Sequence, residues 1–393
     1  MTPKAETESQ KGKKKKETKI LKEKELCPAR KKTSIGGQAL MEGIMMRGPK
    51  MTAMAVRDPQ GNIVVEERET KGVKRPKICR LPIIRGIFGY IDSMTVGYKC
   101  LMRSAELAGL EDAVEKKNGA ERDDGWTRVT PDDTPAEAPK EADKVEQSEK
   151  EEKEEKEEKE EKEEKEEKKL PQWVMSAMMA LSVVLSLALA IGIFIVVPML
   201  LFRLLPDGAR NTGSPALDSL IKSAFEGVIK IALLVAYMGA ISLMKDIRRT
   251  FMYHGAEHKT IFCYEAGLPL TVENVRKQRR FHPRCGTSFL ILMLIVSIFT
   301  SFFIDPISIA IGGSVLPTAL RVVVKLALVP LIVGLGYELI KLAGRHDNLF
   351  TKIISAPGMW LQHVTVFEPT DDMIECAIAA VKRVIPDDGS DKW

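Results

Sequence analysis

A long uncharged stretch near the middle of the chain constrains the fold more than any other feature. The 33 residues from Leu170 to Phe202 include no ionisable side chain. A helix needs about 20 apolar residues to cross a bilayer, and only structures that satisfy their own backbone polar groups can do so. The stretch therefore predicts a transmembrane helix, with Trp173 and Arg203 as interfacial anchors at its ends.

Three further apolar segments predict three more membrane spans. They run from about Ile221 to Met244, from about Thr287 to Ile304 and from about Leu316 to Leu342. Each is shorter or more polar than the first stretch but long enough to cross a bilayer. We therefore predict a mainly α membrane protein with four transmembrane helices in residues 170–345.

The distribution of Lys and Arg predicts the orientation of these spans. Cations crowd the N-terminal tail and the segment 245–284, whereas residues 205–216 contain only Arg210 and residues 305–316 contain none. Cytoplasmic loops carry the excess of Lys and Arg. Both termini and the central loop 245–286 are therefore predicted to be cytoplasmic, in a multi-pass protein of the plasma membrane. The polar N-terminus lacks the apolar core of a signal peptide.

The cysteines argue against a disulfide framework. No two of them form a CxxC pair, and the orientation above places all of them on the cytoplasmic side, where thiols stay reduced. They are Cys27, Cys79, Cys100, Cys263, Cys285 and Cys376.

Two of the predicted spans contain charged residues near their outer ends. The second carries Lys222, Glu226 and Lys230, and the fourth carries Arg321 and Lys325. Long cationic side chains can snorkel to the membrane surface, and intramembrane charges otherwise pair or face water. Snorkelling, an ion pair from Glu226 to Lys325 or Arg321, and a transport pathway all remain open at this point.

Two segments have compositions typical of disordered or solvated chain. Residues 1–33 form a basic tail that either enforces orientation or attracts anionic lipid, a ribosome or other membrane proteins. Residues 109–169 form a linker that ends in Lys-Glu-Glu triplets from Lys150 to Lys168. Its i,i+4 Glu and Lys pairs favour a solvated helix. The net charge of +5 is too small to indicate nucleic acid, so no DNA partner is expected.

The remaining polar segments predict a small α+β cytoplasmic domain built from both ends of the chain. In residues 34–108, two strand-like runs flank the turn Asp58–Gly61, and Leu81–Ala105 has the apolar spacing of an amphipathic helix, which either lies on the membrane or docks onto the bundle. In residues 346–393, Leu361–Phe367 reads as a strand that could join the hairpin, and a helix follows Thr370.

One cytoplasmic loop collects most of the chain's histidines. It contains His254-Gly-Ala-Glu-His258 and then His282-Pro-Arg-Cys285. The pattern His-x-x-Glu-His is that of inverzincins, in which two imidazoles bind zinc and the carboxylate is a general base. We therefore predict His254 and His258 as metal ligands, His282 and Cys285 as further ligands, and Glu257 as the base. A hydrogen-bonded structural cluster is the alternative.

Four motifs make the chain resemble the YqhQ family of bacterial membrane proteins, a domain of unknown function that has been described as a predicted metal-dependent enzyme. The resemblance covers about residues 34–106 and 171–385 and implies a bacterial plasma membrane. It gives no substrate. The motifs are Gly36-Gly-Gln-Ala-Leu-Met-Glu-Gly-Ile-Met-Met-Arg-Gly-Pro49, His254-Gly-Ala-Glu-His-Lys259, His282-Pro-Arg-Cys-Gly-Thr-Ser288 and Pro357-Gly-Met-Trp-Leu-Gln362.

Three functions fit these observations. The first is a zinc-dependent hydrolase that acts near the membrane on a lipid-proximal or peptide substrate, because a metal activates water. The second is a non-enzymatic assembly factor for membrane proteins, associated with the translocon or the ribosome, in which the histidine cluster is structural. The third is a transporter.

The predicted topology can be tested with reporter fusions. Fusions at Thr212 and Gly313 should report an external location, and fusions at Asn274 and Trp393 an internal one, because Lys and Arg are retained in the cytoplasm. An external signal at Asn274 would show that the orientation is wrong.

Overall fold

The computed structural model describes residues 32–70, 76–109, 125–129, 172–314, 316–346 and 348–391. It divides into two compact units, one formed by Met1–Asp132 with Pro206–Trp393 and one formed by Asp133–Leu205. The Lys-Glu-Glu triplets and nearly all of the predicted basic tail lie outside the described residues.

Most of the described residues are helical. The helices are α1 (Ile84–Leu107), α2 (Gln172–Ile191), α3 (Val197–Arg203), α4 (Asp207–Arg210), α5 (Pro215–Ile241), α6 (Lys245–Glu265), α7 (Val272–Arg276), α8 (Gly286–Gly312), α9 (Thr318–Ala327), α10 (Val329–Arg345), α11 (Leu349–Thr365) and α12 (Asp371–Val384).

The smaller unit contains the first predicted span. Helices α2 and α3 are joined there by one π-helical turn, Gly192–Val196. Pro198 follows that turn directly, and local π adjustments satisfy backbone groups that a proline leaves without a partner in a membrane helix. The segment Ala180–Arg203 is long and apolar enough to cross a membrane.

The larger unit contains the other three candidate spans. They are Pro215–Ile241 in α5, Gly286–Gly312 in α8 and Leu320–Ala343, which runs through α9 and α10. Four helices of the described ranges therefore have the length and composition of membrane spans, as the sequence predicted. Their orientation remains a prediction.

Charged side chains inside these spans pair with one another. Glu226 of α5 lies 3.6 Å from the Nζ atom of Lys325 and 3.9 Å from that of Lys230. Deeper in the packing, Arg321 forms an ion pair with Asp305, whose carboxylate also accepts from Ser219. The structure thus favours the ion-pair interpretation over isolated snorkelling.

A five-stranded antiparallel sheet forms the core of the polar part of the larger unit. Its strands follow one another in sequence order, and the hairpin predicted around Asp58–Gly61 is present, with Arg57 opposite Ile63. Helix α12 packs on one face of the sheet, and α1 covers part of the other. The strands are β1 (Gly36–Leu40), β2 (Gly43–Arg47), β3 (Met51–Arg57), β4 (Ile63–Glu69) and β5 (Thr127–Val129).

Helix α1 connects the sheet to the candidate membrane spans. The backbone of Gly86 lies so close to Tyr337 of α10 that a Cβ atom would come within 2.8 Å of the tyrosine Cβ. Arg85 of α1 forms a bidentate ion pair with Glu338, which follows Tyr337 on α10. The predicted amphipathic helix therefore docks onto the bundle, one of the two placements that the sequence left open.

Two predictions about strands were wrong. Leu361–Phe367 is not a strand: residues up to Thr365 belong to α11, which begins at a capping box between Asn348 and Thr351. That cap and the buried face of α11 outweigh the β-branched residues near its end. Conversely, Thr127–Val129 lies in the predicted linker yet forms β5, because Trp126 and Val129 pack against the two faces of the sheet.

The buried pair between Asp305 and Arg321 can be tested by a double-mutant cycle. Asp305→Ala should lower the free energy of unfolding by about 3–5 kcal/mol, because it leaves a buried cation without its partner. Asp305→Ala combined with Arg321→Ala should recover part of that loss. Thermal unfolding in detergent measures both, and strictly additive effects would contradict the pairing.

Candidate metal centre

Helix α6 carries the His-x-x-Glu-His motif along a tightly packed path. At Gly255, between the two histidines, the carbonyl oxygen of Phe367 approaches so closely that any side chain would displace it. The amide of Phe367 in turn donates to the carbonyl of Phe251, at 3.0 Å. The segment after α11 is therefore held directly against the motif.

The structure brings together three of the predicted ligands. One nitrogen of His254, one nitrogen of His258 and the Sγ atom of Cys285 all lie within 4.8 Å of one another. Nε2 of His254 is 3.0 Å from Sγ of Cys285. The two histidines lie on one face of α6, at positions i and i+4. Cys285 is the residue that caps the N-terminus of α8. Residues that are 31 positions apart in the sequence thus meet at one point.

Backbone carbonyls fix the orientation of both imidazoles. Nδ1 of His254 lies 3.1 Å from the carbonyl oxygen of Thr365, and Nδ1 of His258 lies 2.6 Å from that of Arg280. A carbonyl only accepts, so each Nδ1 carries the proton and each Nε2 presents a lone pair. Thr365 ends α11, where carbonyls have no partner within the helix. The arrangement is the one that orients metal-binding histidines in proteins.

One atom of this cluster has no hydrogen-bond partner. Nε2 of His258 is fully buried, and no donor or acceptor of the described residues satisfies it. His258 itself is 1% exposed. A buried polar atom without a partner is rare in native proteins and calls for an explanation such as a bound ion or water.

His282, the other predicted ligand, faces different partners. Its Nδ1 accepts from the amide of Arg284 at 3.2 Å, and its Nε2 lies 4.0 Å from a carboxylate oxygen of Glu265. Burial, with His258 and Arg284 nearby, holds the pKa of His282 well below its usual value, which keeps the ring neutral. The structure thus places His282 beside the three converging residues, with its ring packed 5.5 Å from that of His258.

Glu257, the predicted base, is a residue of α6, and its side chain contacts the sheet. Its Oε1 accepts from the amide of Gly37 in β1, at 3.0 Å. Burial raises the pKa of Glu257, although His254 and the Gly37 amide oppose that effect. A carboxyl group with a raised pKa is suited to hold a proton near neutral pH.

The loop that carries Cys285 is held by a buried ion pair. Arg284 pairs with Glu265 of α6 and also donates to the carbonyl of Thr33 at 2.8 Å. The amide of Thr33 donates to Glu265 at 2.9 Å. Thr33 is 1% exposed, so the boundary predicted for the disordered tail is wrong by at least this residue. Thr33 is buried because its backbone hydrogen-bonds to both members of the ion pair between Arg284 and Glu265.

Sequence reasoning missed the side chain that clamps this loop. Gln362 of α11 accepts from the amide of His282 at 2.8 Å and donates to the carbonyl of His282 at 2.7 Å. It also donates to Ser288 at 3.0 Å and is fully buried. The sequence held a signal, since Gln362 ends one of the family motifs, but assigning that residue to a strand concealed its role.

The donor set suits zinc. Two imidazole nitrogens and one thiolate are ligands that zinc accepts, and three protein ligands leave a fourth position open. Carboxylate-rich sites, by contrast, suit magnesium or calcium. The unsatisfied Nε2 of His258 fits an ion between the three donors.

Comparison with known proteins identifies relatives but no activity. A family model described as "Protein of unknown function (DUF1385)" matches residues 81–387. The chain is 32% identical over 353 residues to the "Uncharacterized protein YqhQ" of Bacillus subtilis (strain 168), an alignment that covers 89% of this chain and 92% of that protein. No solved structure matches significantly. The function must therefore be argued from the site.

The two hydrogen bonds between Gln362 and the backbone of His282 predict how Gln362→Leu changes stability. This change leaves the buried amide and carbonyl of His282 without partners, so we expect a loss of about 2–4 kcal/mol in unfolding free energy. Cys285 should also react faster with a thiol reagent, as mass spectrometry of the labelled peptide would show.

Gln278→Leu provides the matched control for this experiment. Gln278 is also buried, but among the described residues its side chain makes one hydrogen bond, to the carbonyl of Asn274 at 3.1 Å. Its replacement should cost about 1 kcal/mol and leave Cys285 protected. Equal effects of the two substitutions would contradict the clamp.

Proposed function

The chain belongs to the YqhQ family, matched as DUF1385, and from its own site we propose that it is a plasma-membrane protein with a cytosol-facing zinc centre that hydrolyses a substrate close to the membrane. The observation that carries this proposal is the buried Nε2 atom of His258, which has no partner among the described residues, on an imidazole with one nitrogen within 4.8 Å of the ligand atoms of His254 and Cys285.

His254, His258 and Cys285 are the ligands in this proposal. Both imidazoles already present Nε2, because carbonyls bind their Nδ1 protons. Cys285 is 5% exposed, so water does not compete freely for its sulfur. When bound, zinc supplies Lewis acidity and activates water. The protein's own contribution is to hold the three donors in place.

Glu257 acts as the general base. It would accept a proton from the attacking water on its carboxylate and then donate that proton to the leaving group, as a base of raised pKa does. The amide of Gly37 holds one oxygen of this carboxylate and so limits its rotation. His282 supports the site from the side by packing its ring against that of His258.

The position of the site supports a substrate near the membrane. Cys285 caps α8, and its sulfur accepts from the amide of Thr287 at 3.4 Å. The candidate span Gly286–Gly312 begins at the next residue. A lipid headgroup or a peptide that leaves the bilayer at this point would lie beside the loop that carries Cys285.

Metal analysis tests the proposal. The protein as isolated, or after zinc is added back under mild conditions, should contain about one zinc per chain. His254→Ala or His258→Ala should remove most of it, because the loss of one of three ligands opens the shell. Plasma emission spectrometry after gel filtration measures the ratio.

Two further variants separate catalysis from structure. Glu257→Gln should keep the metal while any hydrolytic activity falls, because a base is not a ligand. His363→Ala is the matched control, since His363 is exposed and its ring nitrogen Nδ1 lies 3.0 Å from the carbonyl oxygen of Trp360, away from the three ligands. Failure to bind added zinc, with stability losses in all three cluster variants, would overturn the zinc centre and favour the assembly-factor hypothesis.

A further inference from the structure

A cleft of mixed polar and apolar lining lies on the face of the sheet that carries Arg47 and Arg68. It runs between the sheet and the middle of α1 as two adjoining cavities of about 500 Å³ and about 350 Å³. Both cavities are lined by Arg47, Thr70 and Val96. Neither cavity contains His254, His258 or Cys285, so the cleft is separate from the zinc ligands.

Two arginines stand in one row across the strands of this face. Arg47 of β2 lies opposite Thr52 of β3, and Thr52 lies opposite Arg68 of β4. Neighbouring strands are about 4.8 Å apart, so the two arginines begin about 10 Å apart and point to the same side. Two side chains of this length can reach a single ligand between them.

Neither arginine has a carboxylate partner in the described part of the chain. The nearest acidic group on this face, Glu66, is held by Arg103 through two hydrogen bonds of 2.9 and 3.1 Å. Arg68 instead stacks on the ring of Trp126, with its guanidinium carbon 4.5 Å from the ring centre. Glu69 lines the rim, but side chains alternate along a strand, so its carboxylate belongs to the opposite face.

Both arginines influence the pKa of one buried thiol, that of Cys100. Burial raises the pKa of the Cys100 thiol to about 11, and Arg68 and Arg47 both act against that rise. Cys100 is a residue of α1 in the small apolar cluster beneath the cleft. Both guanidinium groups therefore lie near enough to Cys100 to act on its pKa.

Hydroxyl and backbone groups complete the lining. Ser34, Ser93 and Thr70 border the larger cavity, together with the side chain of Gln38. The backbone of Gly36 is also present there, with open space where a Cβ atom would lie. Hydroxyls, amides and paired arginines are the groups that bind phosphate oxygens in proteins.

We propose that this cleft binds a phosphate-bearing ligand through Arg47 and Arg68. Two guanidinium groups that have no carboxylate partner among the described residues and border one cleft favour an anion with several oxygens, and phosphate matches their forked geometry. The ligand is either a soluble phosphate ester or the headgroup of an anionic phospholipid, which could enter because α1 is docked on the membrane helix α10.

Binding measurements on the full-length protein in detergent test this proposal. The probes are sn-glycerol 3-phosphate, by isothermal titration calorimetry, and vesicles of phosphatidylglycerol against phosphatidylcholine, by flotation of reconstituted protein. Arg47→Gln and Arg68→Gln should each weaken binding by about tenfold or more, because each removes a charged hydrogen-bond donor. Arg47→Lys should be intermediate, since it keeps the charge but loses the fork.

Arg80→Gln is the matched control, because Arg80 is exposed and does not line the cleft. The unfolding temperature of the Arg47 variants should stay unchanged, because Arg47 forms no ion pair in the described ranges, and that of Arg68→Gln should fall only slightly, through loss of the contact with Trp126. Binding of the soluble ester supports a metabolite site, and binding of phosphatidylglycerol alone supports a headgroup site. The proposal would be overturned if neither probe bound, or if the wild type and both glutamine variants bound equally well.

Discussion

Two hydrogen bonds to backbone carbonyls decide what the histidine cluster can do. The carbonyls of Thr365 and Arg280 accept from the Nδ1 atoms of His254 and His258, which leaves both Nε2 atoms available as ligands, and Nε2 of His254 lies 3.0 Å from Sγ of Cys285. Thr365 offers its carbonyl because α11 ends there. The geometry of the donors therefore depends on where a neighbouring helix stops, and Gln362, one turn earlier, ties the same helix to the loop that carries Cys285.

Further contacts connect the site to the candidate membrane spans. Cys285 caps a candidate span, and α1 fastens the sheet to α10 through Gly86 and the pair of Arg85 with Glu338. The sheet then presents Gly37 to Glu257 on one face and the row of Arg47 and Arg68 on the other. A single small sheet thus lies between two chemically different clusters, one of imidazole and thiol groups and one of arginines.

Much of this arrangement could be predicted from sequence, for definite physical reasons. Long apolar runs predict spans because a bilayer admits few alternatives, and the i,i+4 spacing of His254 and His258 places them on one helix face. The end of α11 was predicted wrongly, because Val364 and Thr365 favour strands locally while the cap at Asn348 and long-range burial favour a helix. Gln362 as a clamp and β5 could not be predicted, since both depend on contacts between residues distant in sequence.

X-ray absorption spectroscopy at the zinc edge tests the central claim most directly, because it reports which atoms touch the ion. The account predicts that the zinc-loaded protein shows one sulfur neighbour at about 2.3 Å together with nitrogen neighbours at about 2.0–2.1 Å. Cys285→Ser should remove the sulfur contribution and leave the nitrogen contribution in place. A spectrum with no sulfur neighbour in the wild-type protein, or one that Cys285→Ser leaves unchanged, would contradict a zinc centre formed by His254, His258 and Cys285.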